Sequence, residues 1–97
     1  MNSQENITIA IVLYKENYEL ISKTLEKITS FKIIIVDNAN NRKLKEKIQK
    51  NFFIFKYILN KKNVGFSAGY NQAIKLSETK FSLILGPDCI ITENDIL

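Results

Sequence analysis

Two aspartates stand where a carboxylate can do chemistry. Asp37 closes the apolar run Ile33-Ile34-Ile35-Val36, and Asp88 follows Phe81-Ser82-Leu83-Ile84-Leu85 across Gly86-Pro87. A carboxylate at the end of a buried strand is costly to desolvate without a partner. Asp37 could accept the N3–H of uracil or thymine, a donor that cytosine lacks. Equally, Asp37 or Asn38 could cap the helix that follows, and spacing alone leaves both readings open. Pro87 restricts Gly86 to extended backbone and projects Asp88 at the strand's end. An oxygen ligand there suits Mg2+ or Mn2+, which bind through one or two carboxylates plus substrate phosphates. Gly-Pro-Asp is also good turn composition.

Groups of other kinds collect around these acids. Tyr14 follows the run Ile7–Leu13 and offers a ring for stacking on a base, or simply ends a strand. The segment Asn63-Val64-Gly65-Phe66-Ser67-Ala68-Gly69-Tyr70-Asn71 opens a helical pattern. Gly65 and Gly69 permit close backbone approach, and amides at a helix start favour anions. Packing of the helix on a sheet accounts for both glycines equally well. It is neither a Walker loop nor a G-x-G-x-x-G fingerprint, since no Lys-Ser/Thr follows glycines spaced in this way. With no histidine and the single Cys89, zinc sites and Cys–His or Ser–His nucleophiles are excluded. Cys89 reads as a small buried apolar residue.

These residues need a frame that gathers them. Four apolar runs carry strand character: Ile7–Leu13, Ile33–Val36, Phe53–Leu59 and Phe81–Leu85. Their continuous hydrophobicity implies strands covered on both faces, as in parallel sheets. Between them lie three helical patterns, whose apolar stripes are Tyr18/Ile21/Leu25/Ile28, Leu44/Ile48 and Phe66/Tyr70/Ala73/Ile74. Alternation of strand and helix predicts an α/β three-layer sandwich around a mostly parallel sheet in the order 3-2-1-4. Ligands of such sheets sit beyond the carboxyl ends of the strands. Tyr14–Asn17, Asp37–Asn40, Asn60–Gly65 and Gly86–Cys89 then share one edge. Thr92 with Asp95 resembles the cap of one more helix.

Ninety-seven residues make one domain or a piece of one. Hydrophobic content of 45% and charged content of 25% are globular values. No apolar run approaches the ~18 residues that span a bilayer, and the polar N-terminus carries no secretory pattern. A lone cysteine fits a reducing compartment, so the chain reads as soluble and cytoplasmic. The net charge of +4 is concentrated in Arg42–Lys50 and Lys61-Lys62. That balance suits a phosphorylated ligand or peripheral association with an anionic membrane surface at its inner face, or it is a solvated helix face. No nucleic-acid partner is expected.

Four stations recur in order: Ile9-Ala10-Ile11-Val12-Leu13-Tyr14-Lys15, Ile34-Ile35-Val36-Asp37-Asn38, the Asn63–Asn71 segment, and Ser82–Asp88. The pattern resembles the inverting family-two glycosyltransferases of the GT-A fold, especially their rhamnosyltransferase-like branch. The resemblance covers essentially the whole chain and implies a Rossmann-like nucleotide-binding half. It implies that the Tyr14 region, with Glu16 beside it, lines a base pocket and that Asp37, with Asn38, binds the pyrimidine. Asn63, Gly65 and Asn71 would shape the wall beside ribose and diphosphate. Asp88 would take the place of the metal- and diphosphate-contacting aspartate, with Mg2+ or Mn2+ as cofactor. Two positions depart from the pattern: Gly86 replaces the branch's usual Asn, and Ile90 stands where a second acid of a D-x-D would fall.

The implied activity is transfer of a sugar from a UDP- or dTDP-sugar donor to a glycan or lipid-linked acceptor, as in building a cell-surface polysaccharide. The alternative is a non-catalytic nucleotide-binding or assembly module derived from the same fold. Residues 1–97 are read as a nucleotide-sugar-binding half-domain truncated at its C-terminus, because family catalytic domains are longer and no residue matches their catalytic base. The isolated segment is therefore expected to be inactive, and its fourth strand to be an exposed edge that invites homo-oligomerisation.

Overall fold

The structure is a computed structural model that describes residues 6–89 and 91–96. Its elements follow in the order β1 (Ile7–Leu13), α1 (Tyr18–Glu26), β2 (Lys32–Asp37), α2 (Arg42–Asn51), β3 (Lys56–Leu59), α3 (Phe66–Leu76), β4 (Phe81–Ile84) and α4 (Glu93–Ile96). The four strands form one sheet in the order β3-β2-β1-β4, and all three pairings are parallel. The expected α/β architecture and strand order hold.

Each helix starts where local chemistry allows it. The Asn17 side chain accepts the Leu20 N–H at 2.9 Å to cap α1, and Asn41 accepts the Leu44 N–H at 3.1 Å to cap α2. Helix α3 has no side-chain cap and starts at Gly65, whose φ of +86° favours glycine. At α4 the expected cap is present: the Thr92 N–H donates to Asp95 Oδ2 at 2.8 Å.

Strand alternation divides the core in two. Ile9, Ile11, Leu13, Ile33 and Ile35 pack under α1 and α2 with Ile21, Leu25, Ile28, Leu44 and Ile48. Ala10, Val12, Ile34 and Val36 face α3 and pack with Ala73. Both faces of β1 and β2 are thus buried, which is why those runs read as unbroken apolar sequence.

Three expectations need correction. Strand β3 begins at Lys56 rather than Phe53. Phe53 is 79% exposed, because the chain there is still crossing from the α2 layer to the sheet. Only Gly69 and Ala73 of α3 are buried, whereas Phe66 and Ile74 are 55% and 41% exposed. The smallest residues take the contact because α3 lies close on β1, which displaces the large ones to its flanks. Finally, β4 is not covered on both faces: Phe81 and Ile84 are 57% and 52% exposed on an edge strand.

Candidate functional site

Because every strand runs the same way, all the strand-end residues lie on one edge of the sheet. Register brings Leu13 beside Asp37 and Asp37 beside Leu59, so Tyr14, Asn38 and Asn60 follow as near neighbours. The Asn38 N–H donates to the Leu13 carbonyl at 2.8 Å, and the Asn60 N–H to the Asp37 carbonyl at 2.9 Å. Asp88 arrives on the same edge after β4.

After β1 the chain turns sharply at Lys15, a non-glycine residue with φ of +69°. Glu16 stabilises this turn, since its carboxylate accepts the Tyr14 N–H. Tyr14 is half-exposed, and the Lys15 ammonium lies 5.0 Å from the centre of its ring. The turn therefore presents an aromatic face and a cation together at the strand's end.

Asp37 behaves differently from a carboxylate held open to solvent. It is 1% exposed, and its two oxygens accept the Ala39 N–H at 2.8 Å and the Asn41 N–H at 3.1 Å. Asp37 therefore shapes the turn through Asn40, whose φ of +52° is left-handed, while Asn41 and not Asp37 or Asn38 caps α2. Each carboxylate oxygen retains a second lone pair, so acceptor capacity remains behind the turn. Beneath it, on the neighbouring strand, the Tyr57 hydroxyl is buried without a hydrogen-bond partner among the described residues. Burial pushes the Tyr57 phenol well above its ordinary value, and the Asp37 charge adds to the effect.

Asn38 is 2% exposed and faces inward. Its Nδ2 donates to the Gly65 carbonyl at 3.1 Å, and its Oδ1 accepts from Asn60 Nδ2 at 2.8 Å and from the Val64 N–H at 3.4 Å. Asn63 tightens the same loop by accepting the Gly65 N–H at 2.8 Å. Gly69 answers the question left open by its spacing: a Cβ there would lie 3.0 Å from both Val12 methyls, so close packing requires it. Nothing would meet a Cβ on Gly65, where the backbone conformation is the constraint.

Asn71 is exposed on α3 two residues from both Gly69 and Ala73, hence on the face turned away from the sheet. The structure does not bring it to the edge with the others. Tyr70 occupies that place, donating its phenol to the Leu85 carbonyl at 3.0 Å. Burial raises the Tyr70 phenol above its ordinary value, a backbone bond with Val12 opposes this, and the nearby Glu16 charge adds to it.

Asp88 is exposed at the tip of the Gly86–Cys89 turn. Thr24 of α1 anchors this turn by donating to the Pro87 carbonyl at 2.7 Å. Among the described residues no group of three or more His, Cys, Asp or Glu stands together. Ile90, where a second acid would fall, lies outside the described residues.

The basic stretch lies elsewhere. Lys43, Glu46, Lys47, Lys50 and Asn51 line an open concavity of about 460 Å³ on α2. Lys47 lies 4.4 Å from the Tyr18 ring centre, and Lys45 5.8 Å from that of Tyr57. Part of that charge is thus laid over aromatic rings. No helix among the described residues is long and apolar enough to cross a membrane.

Sequence reasoning placed Asn60 on the strand-end edge and Tyr70 in the α3 stripe without giving either a role at the site, and it overlooked Gln72, Tyr57 and Thr24 as site residues. Their contacts join residues from different elements, and only Asn60, polar at the end of an apolar run, carried any signal. Compared with known proteins, residues 8–97 match the family described as Glycosyl transferase family 2. An uncharacterized glycosyltransferase of Methanocaldococcus jannaschii is 30% identical over 94 residues, a match covering 87% of this chain and 32% of that protein. The chain thus spans about a third of the length of this curated relative. No solved structure matches at the same stringency.

Proposed function

The chain belongs to glycosyl transferase family 2, and from that membership we propose that it binds the nucleotide-sugar donor of a transferase using UDP- or dTDP-sugars. The acceptor is a glycan or a lipid-linked acceptor, in the manner of the rhamnosyltransferase-like branch. The observation that carries this reading is the convergence on one sheet edge of an aromatic turn, a pyrimidine-competent carboxylate, a polar loop leading into α3 and an exposed aspartate.

Tyr14 stacks on the base, with Glu16 holding the turn that presents it. Asp37 accepts the pyrimidine N3–H once the Ala39–Asn41 turn yields, because its carboxylate is otherwise covered. Asn63 and Gly65 form the wall beside ribose and diphosphate. Asp88 meets the diphosphate, either across water or through Mg2+ or Mn2+, whose chemistry there is to offset charge on the leaving diphosphate. The basic face of α2 is the part suited to an anionic membrane surface.

The test is calorimetry with UDP, dTDP and CDP on this chain and on Asp37→Asn. UDP and dTDP are expected to bind more tightly than CDP, and Asp37→Asn to erase the difference. Loss of a hydrogen bond to a charged acceptor is worth about 1.5–3 kcal/mol, or roughly ten- to more than a hundredfold in affinity. Equal affinity for all three nucleotides would remove Asp37 from the site.

A further inference from the structure

Three side-chain amides from three elements meet beneath the loop that leads into α3. Asn38 follows β2, Asn60 follows β3 and Gln72 lies in the middle of α3. Asn60 Nδ2 donates both of its hydrogens, one to Asn38 Oδ1 at 2.8 Å and one to Gln72 Oε1 at 2.8 Å. Gln72 Nε2 returns a bond to Asn60 Oδ1 at 2.9 Å. The Asn60–Gln72 pair is thus reciprocal and closed, and Asn60 itself is only 9% exposed.

The pairing has a directional consequence. An amide side chain has one accepting and one donating end, so the orientation of one constrains the next. Gln72 and Asn38 together constrain which way Asn60 points, because an Asn60 flipped alone would turn its oxygen toward Gln72 Oε1 and Asn38 Oδ1. Asn60 in turn sets Asn38, whose oxygen must receive the Asn60 hydrogen. Asn38 then has its Nδ2 toward the Gly65 carbonyl and its Oδ1 toward the Val64 N–H. The backbone at Val64–Gly65 is held at both a carbonyl and an amide by the far end of this relay. Gly65 is the residue with φ of +86°, so its neighbours' directions depend on that grip.

We propose that Asn60 and Gln72 are positioning residues for donor binding, which act through Asn38 to hold the Asn63–Gly65 loop against the diphosphate side of the donor. The inference rests on the nucleotide site proposed above. It adds two residues that never touch the ligand and links the base end of the site, at Asp37-Asn38, to the phosphate end. Breaking the relay loosens the phosphate end while leaving in place the base-end groups that take no side-chain bond from it, the Tyr14 turn and the Asp37 carboxylate.

The test is amide-resolved NMR titration of this chain with UDP and, separately, with uridine. The wild-type chain is expected to show shifts at Tyr14–Glu16 with both ligands and at Val64–Gly65 with UDP alone. Gln72→Leu, at a half-buried position, and Asn60→Asp, which sets an oxygen against Asn38 Oδ1, are each expected to weaken UDP by about three- to tenfold, the worth of one neutral hydrogen bond. Uridine affinity is expected to stay unchanged, so the ratio of the two affinities falls; a merely structural defect would lower both together. Parallel loss of both ligands, or no change in the ratio, overturns the proposal. UDP shifts at Tyr14–Glu16 with none at Val64–Gly65 overturn it while sparing the nucleotide site. Absence of any UDP shift in the wild-type chain rejects the site and the relay's role together.

Discussion

Gly69→Ala puts one methyl group into the close contact of α3 with β1. Built on the present backbone, that methyl lies 3.0 Å from Val12 Cγ1 and Cγ2 and 3.6 Å from Asn38 Nδ2. Val12 is fully buried in an inner strand, and its β-branched side chain has few rotamers to retreat into. Overpacking of this kind costs about 1–3 kcal/mol. Alanine in place of glycine inside a helix returns about 1 kcal/mol. The expected net loss is therefore about 1 kcal/mol, or a fall in Tm of roughly 4–8 °C for a domain of this size. Val12→Ala alone loses two methyl groups' worth of burial plus a cavity, about 2 kcal/mol. In the double variant the methyl introduced at position 69 enters the vacated space, so the combined loss should fall short of the sum by about 1 kcal/mol. Denaturant unfolding of all four proteins measures this coupling. Additivity to within about 0.5 kcal/mol would show that Gly69 does not owe its place to Val12.

The remaining predictions concern buried polar groups. Tyr57→Phe removes a buried hydroxyl that has no partner among the described residues, and is expected to raise stability by about 1 kcal/mol in thermal unfolding. The folded chain holds the Tyr57 proton more tightly than its ordinary value of 10.0, so the unfolded chain releases it first. Above pH 10.0 ionisation of the unfolded chain therefore lowers stability further, and Tyr57→Phe should flatten that alkaline fall. Thr24→Val breaks the bond to the Pro87 carbonyl, with an expected cost of about 0.5–1.5 kcal/mol. Hydrogen exchange of the Cys89 amide, which bonds the Gly86 carbonyl, should quicken in the same variant; unchanged exchange would mean that α1 does not anchor the turn carrying Asp88.

Much of the fold was legible before any coordinates, for a local reason. Unbroken β-branched runs such as Ile7–Leu13 bury both faces of a strand, and stripes such as Ile21/Leu25 and Leu44/Ile48 bury one face of a helix. Each pattern lies within a few residues, and their alternation restricts the crossovers to one hand and hence the strand order. From that order it already followed that Tyr14, Asp37 and Asp88 share an edge. What the sequence left undecided depends on distance across the chain. Asp37 reads the same whether its carboxylate is open or covered, and only the folding of Ala39–Asn41 back over it covers the carboxylate. Phe66 and Ile74 fit an apolar stripe as well as Gly69 and Ala73 do, and only the close approach of α3 to Val12 selects the small pair. Asn38, Asn60 and Gln72 are ordinary polar residues until three elements bring their amides within hydrogen-bonding distance. Hydrophobic periodicity is written along the chain, whereas the partner of a buried polar group is set by whatever the tertiary fold carries to it.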